Sequence, residues 1–301
     1  MLARFLDSDF FFSFRRNPVA VVSFCVLLTV VVAAVLAPWI APSNPFDLAS
    51  LNLLDSFKPP VFSAEGEIAH ILGTDDQGRD VLSSIMYGAR ISILVGVLAI
   101  GFAMTVGITI GLIAGYVGGR VDAVLMRIVD VQLSFPGILI ALLVDGIARA
   151  VMPRDMHDRM QLYVLVFAIG IARWPQFART VRGSTMVERG KEYVMAARVI
   201  GISRLRIMVS HILPNVLGPV LVIATLNLGL AILDEATLSF LGVGLPPTQP
   251  SLGTLIRIGN DFLFSGEWWV TIFPGMTLAI MVLSINLLGD WLRDALNPRL
   301  R

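Results

Sequence analysis

With 301 residues, 56% hydrophobic and only 15% charged, and a mean hydropathy of +0.79, the chain is too apolar for an ordinary soluble domain and reads as an integral membrane protein. A net charge of +1 argues against a nucleic-acid partner. The lone Cys25 excludes an intrachain disulfide, and His70, His157 and His211 match no zinc-ligand spacing, so no metal is expected.

Residues 1–18 form a short arm with Arg4, Arg15 and Arg16. Residues 19–37 are apolar throughout and close to the length that spans a bilayer; they read as a retained anchor rather than a cleaved signal peptide. Residues 38–89 are polar, acidic and proline-containing, an external loop with local structure. In its last part, Thr74 or Asp75 can cap a helix and Asp76-Gln77-Gly78 can turn. The adjacent acids miss the alternating spacing of a calcium loop.

A second span is expected over residues 91–116. Gly107, Gly111 and Gly115 recur every four residues and leave one helix face bare, which permits close packing of another helix. Gly118-Gly119-Arg120 turns the chain, residues 121–127 lead in, and a third span follows at about residues 131–148, kinked at Pro136-Gly137. Asp130 lies at its start, at the membrane edge. Residues 149–160 read as a mixed-charge loop, and a fourth span, from residue 161, ends near Trp174-Pro175. Residues 216–233 make a fifth span containing Asn227, kinked near Gly218-Pro219. The stretch from Asp234-Glu235 to Gly253 is turn-rich, residues 270–288 make the sixth span, and residues 290–301 are a charged tail. Asn227, Glu235 and Asn286 are candidates to line a path through the membrane or, equally, to be packing or surface polar groups.

The chain is organised around residues 188–219, its longest basic stretch between two apolar segments. Tyr193, Ala196, Ala197 and Ile200 fall on one face of a short helix that begins at Glu192. Gly201 suits the left-handed residue at its C-terminus. Ser203 can cap a second helix with Leu205, Val209 and Ile212 on one side, ending at Pro214. Small alanines suit a helix-in-groove contact with a partner protein; the alternative is a basic loop lying on anionic lipid.

Ala196-Ala197, Gly201 and Leu213-Pro214 resemble the EAA loop of ABC importer permeases: Glu-Ala-Ala, three residues, Gly, nine residues, Ile-x-Leu-Pro. Met195 stands in place of the Glu and His211 in place of the Ile. Glu192-Tyr193-Val194, His211 to Asn215, the stretch Gly73 to Asp80 and the turn-rich segment after Asp234 are similar to the dipeptide/oligopeptide (peptide/nickel) branch of that family. The resemblance implies an all-α, type I importer permease with six transmembrane helices. Residues 1–88 hold the arm, first helix and periplasmic loop, 89–290 the permease core with its coupling loop at about 182–214, and 291–301 a cytoplasmic tail. It also implies the partners: a homologous permease, as a heterodimer, one or two ABC ATPase subunits, a periplasmic solute-binding protein and membrane lipid. The coupling contact then falls to Glu192, Tyr193, Ala196, Ala197, Gly201, Leu213 and Pro214.

Orientation follows from the basic residues independently of that resemblance. With both termini on the cytoplasmic side of the bacterial cytoplasmic membrane, sixteen Lys and Arg fall on the inner side and seven on the outer, so the 188–214 loop is expected in the cytoplasm. The only lysines are Lys58 and Lys191; Gly190-Lys191 is followed by Glu192 and preceded by Thr185 where a P-loop needs glycine, so ATP and magnesium are expected on partner subunits and not here. The leading expectation is a non-enzymatic permease subunit of an ATP-driven importer of di- or oligopeptides, with nickel or another small solute as the alternative cargo. An ion-coupled secondary transporter predicts inverted repeats and buried mid-membrane titratable groups, and an intramembrane enzyme predicts a motif such as His-Glu-x-x-His; neither pattern is found.

Overall fold

The computed structural model describes residues 9–47, 51–246 and 249–296. The helices, in chain order, are α1 (Asp9–Arg16), α2 (Pro18–Ile40), α3 (Val81–Val117), α4 (Gly119–Leu133), α5 (Gly137–Val151), α6 (Arg154–Arg189), α7 (Glu192–Val199), α8 (Leu213–Phe240), α9 (Leu252–Asn260) and α10 (Trp269–Ala295). Arg204–Arg206 and a π-helical turn, Ile207–Ile212, lead into α8. The only strand-like pairing among the described residues is an isolated bridge between Thr74 and Asp80, so the fold is all-α.

Four segments are long and apolar enough to cross a membrane: α2, α3, Arg204–Phe240 and α10. The third expected span is a bent pair instead. α4 and α5 meet at 90° at Pro136, which has no N–H to continue the ladder and itself leaves the helical region with ψ 129. The fourth expected span does not stop at Pro175. α6 runs unbroken through it to Arg189, and the expected 149–160 loop shrinks to the two residues between α5 and α6. Arg173, Pro175 and Gln176 interrupt the apolar character of α6, but a helix wrapped by other helices need not be apolar all round.

That wrapping is the work of the glycine stripe. A Cβ at Gly107 would collide with Phe177 Cβ. One at Gly111 would lie 2.6 Å from the Ala178 carbonyl oxygen, and one at Gly115 2.7 Å from Thr185 Cβ. The bare face of α3 is therefore filled by α6 from Trp174 to Thr185, and the packing on both sides of Pro175 holds the helix together without the lost hydrogen bond.

The apolar interior falls into two clusters. One joins α3, α4, α5, α6, α7, the π-turn and one face of α8 along its length, and centres on Phe177, Ile169 and Ile212. The other joins α2, the start of α3, the end of α8, α9 and α10, and centres on Ile232, Leu252 and Met281. A cap built from residues 51–80 sits on the second cluster. Its key residues differ from the expectation: Asp80, not Thr74 or Asp75, caps α3 by accepting from Ser83 N at 2.8 Å. Asp75 instead folds back on the loop, accepting from the Gln77 and Arg79 amides and pairing with Arg79 Nε at 2.6 Å with both side chains buried. Thr74 donates to the Asp55 carbonyl, and its own carbonyl accepts from Trp269 Nε1 at 3.0 Å, which fastens the cap to α10.

Candidate coupling site

The loop from Glu188 to Asn215 hangs between the two helices α6 and α8. Gly190 ends α6, and one residue later α7 begins with Lys191 as its N-cap. Gly201 closes α7 with φ +80, and the Ile202 amide reaches back to the Ala197 carbonyl at 3.0 Å. This is the Schellman arrangement, in which a left-handed residue lets the chain satisfy helix-end carbonyls.

Burial sorts the faces of α7 differently from the sequence pattern. Val194 and Ala197 are buried against the first cluster, whereas Tyr193 is 37% exposed. The outward face is Met195, Ala196, Val199 and Ile200, with Val199 and Ile200 exposed by 87% and 74%. The two alanines of the motif thus have separate tasks: Ala197 lets α7 lie close on its own protein, and Ala196 leaves the outer face low. Downstream, the π-turn alters the second helix. Ile207 and Ile212, five residues apart, both point inward, while Leu205 and Val209 are exposed. A π-helix places i and i+5 on one face, so the α-helical spacing Leu205, Val209, Ile212 does not hold. Pro214 does not end a helix here; it lies in the first turn of α8, where a missing N–H is least costly. Leu213 opens α8 and is half-buried.

Polar ties fix the loop at its root. The Glu188 carboxylate accepts from Lys191 Nζ and from Tyr193 Oη, each at 2.6 Å. Burial pushes that carboxyl up, but the Lys191 and Tyr193 hydrogen bonds outweigh it and hold Glu188 below the ordinary value. The same burial and carboxylate push the Tyr193 hydroxyl up to about 12. Asn215 Nδ2 donates to Tyr193 Oη at 3.2 Å and to the His211 carbonyl at 2.7 Å. Tyr193 is therefore the pin that joins the end of α6 to the start of α8. Glu192 is exposed at the first turn of α7, where it complements the helix dipole. Neither Glu188 nor Asn215 stands out in the sequence as a tie; their polar identity at the two ends of the loop is the available signal.

The candidate path residues lie apart from this loop. Glu235 is fully buried in α8, which continues to Phe240 where a turn-rich segment was expected. Ser92 Oγ and Ser239 Oγ donate to its carboxylate, each at 2.7 Å. Asn227 is buried, donates to the Ile223 carbonyl, and its Oδ1 lies 3.4 Å from Arg173 Nη1. Asn286 packs on Gly229, so it joins α10 to α8. Arg173 also binds Asp234 Oδ2 with Nη2 at 2.6 Å and Nε at 2.8 Å, an α6–α8 ion pair that local sequence does not reveal. Two charges inside otherwise apolar runs were its signal. Asp130 pairs with Arg179 at 2.7 Å on an exposed edge.

Comparison with known proteins agrees with this architecture. Residues 107–301 match the model of a family described as binding-protein-dependent transport system inner membrane component, and residues 7–60 match the N-terminal TM domain of oligopeptide transport permease C. The chain is 42% identical over 293 residues, 97% of its length and 93% of the relative's, to the dipeptide transport system permease protein DppC of Escherichia coli (strain K12). It is 38% identical, over 97% of its length and 95% of the relative's, to the DppC of Haemophilus influenzae. Among solved structures, a chain from inward-facing conformations of the MetNI methionine ABC transporter superposes with a TM-score of 0.56 at 18% identity, covering 71% of this chain and 96% of that one.

Proposed function

We propose, from the premise that this chain belongs to the family of binding-protein-dependent transport system inner membrane components, that it is one permease half of an ATP-driven importer of di- or oligopeptides. The observation that carries the reading is α7, a short helix with Met195, Ala196, Val199 and Ile200 outward beside a basic loop. Apolar residues so exposed at a polar end of a membrane protein suit a groove in another protein. In this reading the groove belongs to a cytoplasmic ATPase subunit. ATP closes the ATPase pair, each subunit carries its α7 along, and rigid-body rocking of two permease halves switches access to the pathway. The long α6 is the lever: its loop-side half, Trp174 to Thr185, is clamped on α3 by the glycine stripe, and its end holds α7 through Glu188 and Tyr193.

The remaining partners follow from the same reading. A homologous permease completes the pathway, and a periplasmic solute-binding protein delivers the peptide to the outer side. Both termini lie in the cytoplasm of a bacterial cell whose inner membrane holds the complex. Peptide as cargo is taken from the names of the relatives.

The test is a cysteine cross-link, with the exposed native Cys25 first changed to Ser. The cysteine belongs at Ala196, since Ala197 is only 4% exposed. In membranes that contain the ATPase subunits, Ala196→Cys is expected to give one ATPase adduct whose yield changes with ATP. A cytoplasmically accessible Ala196→Cys that yields no adduct overturns the coupling role and restores the ion-coupled transporter.

A further inference from the structure

A cavity of about 470 Å³ opens beside α7 on the side away from the outward stripe. It is lined by Tyr116 and Val117 at the end of α3, Arg189 at the end of α6, Arg198 of α7, and Arg204 with Ile202 and Ile207 on the lead-in to α8. Three guanidinium groups therefore converge on one concavity. Arg189 is held in place by donating Nη1 to the Tyr116 carbonyl at 2.9 Å. Arg198 lies over the Tyr116 ring, 5.1 Å from its centroid. No ion pair joins Arg198 or Arg204 to a carboxylate among the described residues. Arg189 has the Asp122 carboxylate within reach of its charge, whereas Arg198 and Arg204 are uncompensated; two such arginines gathered in a pocket attract an anion, and their planar forks match phosphate oxygens.

The position of the cavity narrows the class of anion. It lies where the apolar span of α3 ends, and Val117, in its wall, is 47% exposed. The next helix, α4, continues outward with Val121 and Val124, 40% and 61% exposed. A ligand that suits both features carries a phosphate for the arginines and an apolar tail for the valines. We propose that this cavity is a binding site for the phosphate headgroup of an anionic phospholipid of the leaflet on the loop side. Arg189, Arg198 and Arg204 hold the headgroup, and Tyr116 braces Arg198. Since the walls come from α3, α6, α7 and the lead-in to α8, a bound headgroup ties the coupling helix to its supports. The role in coupling rests on the function proposed above; the binding itself does not.

The test is native mass spectrometry of the delipidated full chain titrated with phosphatidylglycerol, phosphatidylcholine, glycerol 3-phosphate or inorganic phosphate. One phosphatidylglycerol is expected to be retained in preference to phosphatidylcholine, with Arg198→Gln/Arg204→Gln lowering its affinity by about tenfold or more. Glycerol 3-phosphate or inorganic phosphate binding as tightly as the lipid overturns the lipid as source. The control is Arg127→Gln, an arginine outside the cavity. An equal loss there, or unchanged retention in the double variant, overturns the site. If the double variant does not fold, Arg204→Gln alone is measured against the same criteria, with about a fivefold loss expected. Loss of ATPase co-purification in these variants with lipid retention unchanged also overturns it, since an acidic surface of the ATPase would then be the occupant. Failure of the Ala196→Cys cross-link leaves the lipid measurement unaffected, so the two readings fail separately.

Discussion

The cap of residues 51–80 and the loop of residues 188–215 are both polar excursions from an apolar helical body, yet they are built on opposite principles. In the cap, the charged pair Asp75–Arg79 is buried, Asp80 caps α3, and Trp269 pins Thr74 from a distant helix. In the loop, the ties gather at the root, on Glu188, Tyr193 and Asn215, and the far surface is left apolar and bare. The cap leaves apolar tips bare too, Leu54 and Ile68 among them, but its ties run through its middle and reach a distant helix, which suits a fixed platform. A region that satisfies its backbone but not its apolar face suits a surface waiting for a partner.

The sharpest break of the contrast is Arg79→Ala. It strands the buried Asp75 carboxylate and is expected to cost about 3–5 kcal/mol, read as a lower unfolding temperature of the chain in lipid. A fall no larger than that of a surface arginine would show that the cap is not closed in the way described. Next in size is Gly111→Leu, which drives a side chain into Ala178 and Val181 on α6. Overpacking of this kind costs about 1–3 kcal/mol or more, so folded yield should drop and proteolysis should open the loop before the cap. Unchanged yield would remove the role of the stripe.

Gly201→Val acts on the loop alone. A β-branched residue at φ +80 is strained by about 1–2 kcal/mol, while a Cβ there meets no neighbour within 4 Å. Insertion should stay normal and transport should uncouple from ATP hydrolysis; normal uptake by this variant counts against coupling through α7. The smallest effect is Tyr193→Phe, which removes the hydroxyl pin and should leave stability within about 1 kcal/mol while speeding amide exchange in α7. Acid sharpens the same point. Because the folded-state value of Glu188 is held below the ordinary 4.5, its contribution is present above that value and is lost as pH falls through the depressed one. Acid-induced loosening of α7 that is abolished in Glu188→Gln would identify the carboxylate; loosening that persists in the variant would not.

Much of the architecture was legible along the chain. Apolar length located four spans, glycine periodicity located the close-packing face of α3 though not its partner α6, and the loop spacing located α7 and the left-handed Gly201. The misplacements share one cause. Pro175 reads locally as a terminus but is spanned because Trp174 and Phe177 are packed on the glycines, and Asp234-Glu235 reads as a turn but stays helical because Ser92, Ser239 and Arg173 receive its charges. Likewise, the periodicity that placed Leu205, Val209 and Ile212 together assumes 3.6 residues per turn, which the π-turn does not keep.

By itself, then, the sequence determined which segments are apolar enough to span, the helix face where a second helix could meet, and the loop that carries a short helix, because hydropathy, missing side chains and left-handed residues are local properties. Only the tertiary structure decided which alanine of the loop is presented, which charges are paired, and that three arginines from α6, α7 and the lead-in to α8 share one cavity with Tyr116. Those outcomes depend on contacts between residues tens of positions apart, whose energies exceed the local preferences they override.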